Sequence, residues 1–269
     1  MPRYRHSLLR AFSGASAFAP TQQASLVAWF RSEVGLFTDS AGTTAAVADG
    51  DRVGRWEDQS GLGNHLTQTT AGNRGTLKLA IKNNRNVVRF AGGTQCLNFT
   101  GAGLALAQNV GAISFWVTCV SSSSAADTRL IGWDNNATDT VRVCLARNID
   151  SANAGILSLA LRRLDADGRT TVSGGAASYV DGTWDIEGGL FDFTNNLSYL
   201  RKNGAQLASG TTGGAGSTSD TASVGACIGR AQGAPLIGDV GEVLVYQAIP
   251  SAANITNIET YLNNRWAIY

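Results

Sequence analysis

"ISFWVTCV" (residues 113–120), "TRLIGW" (128–133), "VRVCLAR" (141–147) and "ILSLALRRL" (156–164) follow one another with turn-forming residues between each pair. Every run has strand length and is rich in β-branched and aromatic residues, and runs recurring at this spacing mark an antiparallel sandwich. Outward from this centre the pattern holds. "SLVAWF" (25–30), "NVVRFAG" (86–92) and "CLNF" (96–99) read as short strands before it, and "VGACIGR" (224–230) and "IGDVGEVLVYQA" (237–248) as strands after it. "GTWDIEGGLFDFTNN" (182–196) and "LSYLRKNGAQLAS" (197–209) continue the series, the second as a hairpin turning on Asn203-Gly204, a pair suited to positive φ. The polar stretch "SGTTGGAGSTSD" (209–220) is predicted to bury nothing and to lie on the surface as a loop or flap. In the tail the period changes. Ile255, Ile258, Leu262 and Trp266 fall on one helical face behind Ser251, a candidate N-cap, so one short terminal helix is expected to pack on the sandwich.

Composition agrees. The 32 glycines against 4 prolines suit many strands joined by glycine turns, and 269 residues fit one large β domain. Charged residues are 15% and the net charge is +1, which provides no field for gathering nucleic acid or coating a membrane surface, so neither partner is expected. No stretch has the length of a transmembrane helix. The start, "MPRYRHSLLRAFSGASAFAP", is basic without a sustained apolar core, so it reads as an uncleaved arm, residues 1–24, whose Arg3, Arg5 and Arg10 dock on a neighbour. Cys96, Cys119, Cys144 and Cys227 have no metal or redox spacing, and three of them sit inside strand-like runs. They are expected to be buried free thiols in a chain assembled under reducing conditions.

The order of "LVAWF", "DGDRVGRWEDQSGLGNHLTQ", "NVVRFAGG", "IGDVGEVLVY" and "IETYLNNRW" resembles that of concanavalin A-like, laminin-G-type jelly-roll domains, including those of bacterial surface proteins and bacteriophage virions. The resemblance spans residues 25–269, and its most specific elements are the W-x-D-x-S-G-x-G-N turn and the G-x-x-x-E-V-x-V-Y strand before a helix. It implies two curved antiparallel sheets with exposed loops, a fold that serves glycan binding, protein binding or structure alone. One position departs from the pattern. Relatives often carry an acid before the glutamate of the closing strand, whereas Gly241 precedes Glu242 here, which counts against a family calcium site.

Three places are candidate sites. "WEDQSGLGNH" (56–65) reads first as a turn, with Trp56 anchored in the core, Asp58 and Ser60 bonding backbone amides, and Gly61 and Gly63 supplying unusual φ. The second reading is a calcium loop built on Asp58 and Asn64, calcium being the one cofactor considered; His65 reads as an ordinary loop residue. "GWDNNATD" (132–139) is either a polar hairpin turn or a glycan site, in which Trp133 stacks on a sugar ring while Asp134, Asn135 and Asn136 bond its hydroxyls. Trp184, followed by an apolar run, reads as core. Glycoside hydrolysis needs two suitably spaced carboxylates. Asp185, Glu187 and Asp192 come nearest but lack the third acid at the required step, so no catalysis is expected. The N-x-T triplets at Asn98, Asn136 and Asn254 read as coincidences of composition.

The resulting expectation is a non-enzymatic virion structural and adhesion protein, a capsid decoration or tail-associated component, with virion neighbours held by the arm, self-association open, and host-surface glycans as the outward partner. The alternatives are a secreted bacterial carbohydrate-binding module and, behind it, a polysaccharide-cleaving enzyme.

Overall fold

The computed structural model describes residues 18–122, 127–134, 141–149, 155–221, 223, 225–231 and 234–269. Among these residues the strand series folds into two antiparallel sheets of nine strands each. Ile237–Tyr246 is central to the first. It lies between Ala112–Ser121 on one side and both Arg85–Ala91 and Leu26–Arg31 on the other, and Asp185–Asp192, Leu197–Lys202 and Ala205–Gly210 extend the sheet beyond Ala112–Ser121. Thr128–Asp134 is central to the second, between Val141–Arg147 and Gly225–Ile228, with Leu157–Leu161 and Thr170–Ser173 on one flank and Leu97–Phe99 and Leu66–Thr67 on the other.

Alternation along each strand decides the layers. Ile113, Phe115, Val117 and Cys119 of the first sheet meet Ile131, Trp133, Val143, Leu145, Leu157 and Leu159 of the second in one buried core. An aromatic chain runs through it: Phe30 packs on Trp56 and on Phe99, each at 5.7 Å, Phe99 on Trp133 at 4.9 Å, and Phe115 on Trp133 at 6.3 Å and on Phe191 at 5.3 Å. All four cysteines are free and buried.

The other face of the first sheet carries Leu26, Trp116, Ile186, Leu190, Leu244 and Tyr246, which the terminal helix Ala252–Trp266 covers with Ile258 and Leu262. Ser251 caps it, its side chain accepting from Asn254 N. The helix is also fixed by a carboxylate. Glu242 is fully buried, and its Oε1 accepts from Trp29 Nε1 at 2.7 Å and Tyr261 Oη at 2.8 Å, while Oε2 accepts from Arg265 Nε at 2.9 Å and Trp266 Nε1 at 3.0 Å. Four donors surround one charge, the condition under which a buried carboxylate is tolerated. The absence of an acid at position 241 has a steric cause: a Cβ there would lie 2.4 Å from the Trp266 ring.

One local expectation is met and another is not. Asn203 and Gly204 form the expected tight turn, with φ of 48° and 81°. By contrast, the polar stretch after residue 209 is pinned. Its first two residues close the Ala205–Gly210 strand, Asn196 Oδ1 accepts from Thr212 N and Gly214 N, and buried Thr218 donates to the Ala107 carbonyl. Small hydroxyl residues can be buried once each polar atom has a partner, which a count of apolar residues does not register. Arg3, Arg5 and Arg10 of the expected arm lie outside the described residues. Its described end lies on the chain's own helix, with Phe18 edge-on to Tyr261 at 6.5 Å.

Candidate functional site

The turn at residues 56–65 is organised by Asp58. Its Oδ1 accepts from Trp29 N at 2.9 Å and Ser60 N at 2.8 Å, and its Oδ2 from Ser60 Oγ at 2.7 Å and Asn64 N at 3.0 Å. Asn64 Nδ2 donates to the Val27 carbonyl at 2.8 Å, and His65 Nδ1 accepts from Asp58 N at 3.1 Å. Trp56 is buried, and Gly61 and Gly63 have φ of 91° and 76°. A calcium ion needs six to eight free oxygen ligands. Both Asp58 oxygens are engaged by N–H and O–H donors, so the geometry is that of a turn fastening the first strand to the second sheet.

The proposed glycan stretch divides at its first two residues. Trp133 is fully buried, stacked among Phe99 and Phe115, and donates from Nε1 to the Gly103 carbonyl at 3.0 Å. It is not a sugar platform. The strand runs one residue past Trp133, to Asp134, before its antiparallel partner Val141–Arg147, and successive side chains take opposite faces. Asp134 therefore points outward. Asn135 and Asn136 lie outside the described residues.

The outward face of the second sheet is where Asp134 belongs. Asn98, Cys227, Gly132, Cys144, Ala160 and Thr171 stand in register across it, a row of small or short side chains spanning six strands. Arg129 and Arg142 flank the row and are buried. Arg142 Nη2 pairs with Asp165 at 3.0 Å and its Nη1 donates to the Thr221 carbonyl at 2.6 Å, while Arg129 Nη2 pairs with Asp127 at 3.0 Å. These bonds brace loops over that half of the face. Among the described residues the other half is open, a pocket of about 200 Å³ lined by Cys96, Asn98, Asp134, Gly225, Cys227 and Arg230. Gly225 leaves the space free, since a Cβ there would meet nothing nearer than Asp134 Oδ2 at 3.9 Å. Arg230 Nε is buried and has no hydrogen-bond partner among the described residues.

Such a pocket presents a charged donor, a carboxylate acceptor and a carboxamide at short range, the complement of a polyhydroxylated or acidic small molecule. Reading residue by residue missed Asn98 and Arg230 because each was assigned to another pattern, a chance triplet and a strand end. Alternation was the available signal: in "VRVCLAR" the core residues Val143 and Leu145 leave Arg142, Cys144 and Ala146 to the other face.

The three flagged acids are placed elsewhere. Asp185 and Glu187 are fully buried, Asp185 paired with Lys202 at 3.1 Å and Glu187 with Arg147, and Asp192 bonds Asn195 in a turn. Trp184 stacks on Trp266 at 5.9 Å.

No protein-family model and no curated protein matches the chain. Solved structures do. The CBM40 module of a Ruminococcus gnavus IT-sialidase bound to α2,3-sialyllactose superposes with a TM-score of 0.53 at 18% identity, covering 64% of this chain and 96% of that one. Its complex with α2,6-sialyllactose gives 0.52 at 19% over the same shares. A Trypanosoma rangeli sialidase in complex with sialic acid gives 0.56 at 13%, covering 89% of this chain but only 33% of that one. Likeness at this identity establishes the fold, a jelly-roll sandwich of the concanavalin A-like type, and brings no residue roles with it.

Proposed function

We propose that the chain is a non-catalytic carbohydrate-binding module whose pocket on the second sheet takes an acidic glycan. The observation that carries this reading is the Asn98, Asp134 and Arg230 pocket, in which Arg230 Nε is a buried donor without an acceptor among the described residues, on a small-residue floor. A sugar carboxylate facing Arg230 would accept from its Nε, and ring hydroxyls would lie beside Asn98 and Asp134. The sialyllactose complexes of the structural neighbours support the ligand class. Burial of Asp185 and Glu187 in ion pairs supports binding without hydrolysis, which needs a solvent-accessible acid pair. A virion adhesion protein would share the glycan-facing sandwich. The comparisons offer nothing for the assembly part of that reading, which rested on Arg3, Arg5 and Arg10.

Calorimetric titration with α2,3-sialyllactose, α2,6-sialyllactose and lactose tests the proposal. Binding of the sialylated sugars and not of lactose is expected. Arg230→Ala, whose effect falls in the pocket, should weaken binding by about tenfold or more while the melting temperature holds, as loss of a charged hydrogen bond implies. Failure of both sialylated sugars to bind, or unchanged affinity in a folded Arg230→Ala protein, would overturn it.

A further inference from the structure

The same pocket holds two thiols. Cys227 pairs with Asn98 across the strands, and Cys96, just before Leu97–Phe99, stands one diagonal step away, both residues lining the one pocket. Cys96 Sγ also lies 3.5 Å from Asn98 Oδ1 and 3.5 Å from Gln68 Nε2, and Cys227 Sγ contacts the Arg230 carbonyl. The hydrogen bond to Cys227 and the nearby Arg230 charge push the Cys96 thiol down to about 7, against burial, which opposes ionisation. Cys227 is pushed the other way, by that same hydrogen bond and by burial. The remaining cysteines differ. Cys119 lies between the sheets and Cys144 under the covered half of the outward face, and burial raises both.

We infer that Cys96 and Cys227 form a thiol pair that reacts with small disulfides entering the pocket and closes to an intramolecular disulfide. The Cys96 thiolate attacks one sulfur of the incoming disulfide, whose S–S bond breaks and releases one thiolate. Cys227 then loses its proton and attacks Cys96 Sγ in the mixed disulfide, forming the Cys96–Cys227 bond and expelling the second thiolate. Two cysteines are oxidised, one small disulfide is reduced to two thiols, and the two cysteine protons pass to the released thiolates. The inequality between the thiols assigns the order: the sulfur nearer the ionised state attacks and the other resolves. Cys96 stands just before Leu97–Phe99 and Cys227 one residue from the end of Gly225–Ile228, where a small backbone adjustment can bring the two sulfurs into bonding geometry. The inference is independent of what sugar the pocket takes.

Oxidised glutathione is the probe. The folded protein is incubated with it, quenched in acid and mapped by peptide mass spectrometry. A Cys96–Cys227 linkage is expected, with Cys119 and Cys144 left reduced. Cys227→Ser should stop at a stable glutathione adduct on Cys96, and Cys96→Ser should leave Cys227 unmodified. In the unsubstituted protein, the rate of Cys96 alkylation by iodoacetamide should rise with a midpoint near 7, below the roughly 8.5 of an ordinary thiol. The inference is overturned if no Cys96–Cys227 linkage forms, if Cys119 or Cys144 reacts as quickly, if Cys227 is captured equally well without Cys96, or if the midpoint is that of an ordinary thiol.

Discussion

Glu242 and Gly241 show how two neighbouring residues can fix one element. The carboxylate gathers four donors, three of them from the terminal helix on Tyr261, Arg265 and Trp266 and one from Trp29 of the first strand. Glycine beside it lets the indole of Trp266 lie directly on the sheet. The Glu-Val-x-Val-Tyr sequence followed by a helix is therefore one device, in which the acid holds what the glycine admits. Gly241→Ala places a methyl 2.4 Å from the Trp266 ring, a rigid neighbour held from behind by Trp184. Overpacking of this kind costs about 1–3 kcal/mol. A lowered midpoint in thermal or urea unfolding is expected, with the affinity for sialyllactose unchanged, because the substitution lies on the far side of the first sheet from the pocket. An unchanged midpoint would mean that the helix is less firmly seated than its bonds indicate.

At the scale of elements, Thr128–Asp134 serves the core and the pocket at once. Trp133 fills the middle of the aromatic chain and Asp134 opens into the pocket, so neighbouring substitutions should separate stability from binding. Trp133→Ala removes a fully buried indole and should cost about 3–5 kcal/mol, measured as a fall in melting temperature. Asp134→Asn, which keeps the volume, should melt nearly as the parent does and bind sialyllactose more weakly. Equal loss of stability in the two variants would contradict the division of faces. This strand also shows how much was legible. Its existence, the sandwich, the Asn203-Gly204 turn, the Ser251 cap and the thiol state of the cysteines follow from local pattern, because each depends on residues close in sequence. The site does not. Asn98, Asp134 and Arg230 come from three strand regions far apart in the chain, and only pairing brings them to one pocket. Asp134 was singled out for its neighbours in sequence, two of which lie outside the described residues and one of which faces the core.

For the molecule as a whole, the decisive contact is the one joining the sheets by charge. Arg147 from the second sheet meets Glu187 from the first, both fully buried, with the guanidinium also 4.4 Å from the centre of the Tyr179 ring and near Cys119. Glu187 Oε2 and Arg147 Nη1 have no hydrogen-bond partner among the described residues, so the pair is under-satisfied, and burial pushes the Glu187 carboxyl up despite Arg147. The two partners are unequal in what they can do alone. A carboxyl can take a proton and become neutral, whereas a guanidinium keeps its charge. Glu187→Gln thus strands a buried cation and should cost about 3–5 kcal/mol. Arg147→Met leaves an acid whose folded pKa rises further above its unfolded value. Its stability is then fully present below the ordinary carboxylate range and is lost as pH rises through the folded pKa, so this variant should weaken from acid towards neutral pH more steeply than the parent. Combining Arg147→Met with Glu187→Leu removes both charges from the interior, and replacement of a buried pair by apolar groups is often neutral or stabilising. The double variant should therefore recover most of the loss and show no such slope. Urea unfolding of these proteins across pH, with Glu187→Leu alone added to close the cycle, tests this, and additive losses in the double variant would show that the sheets do not meet through this pair.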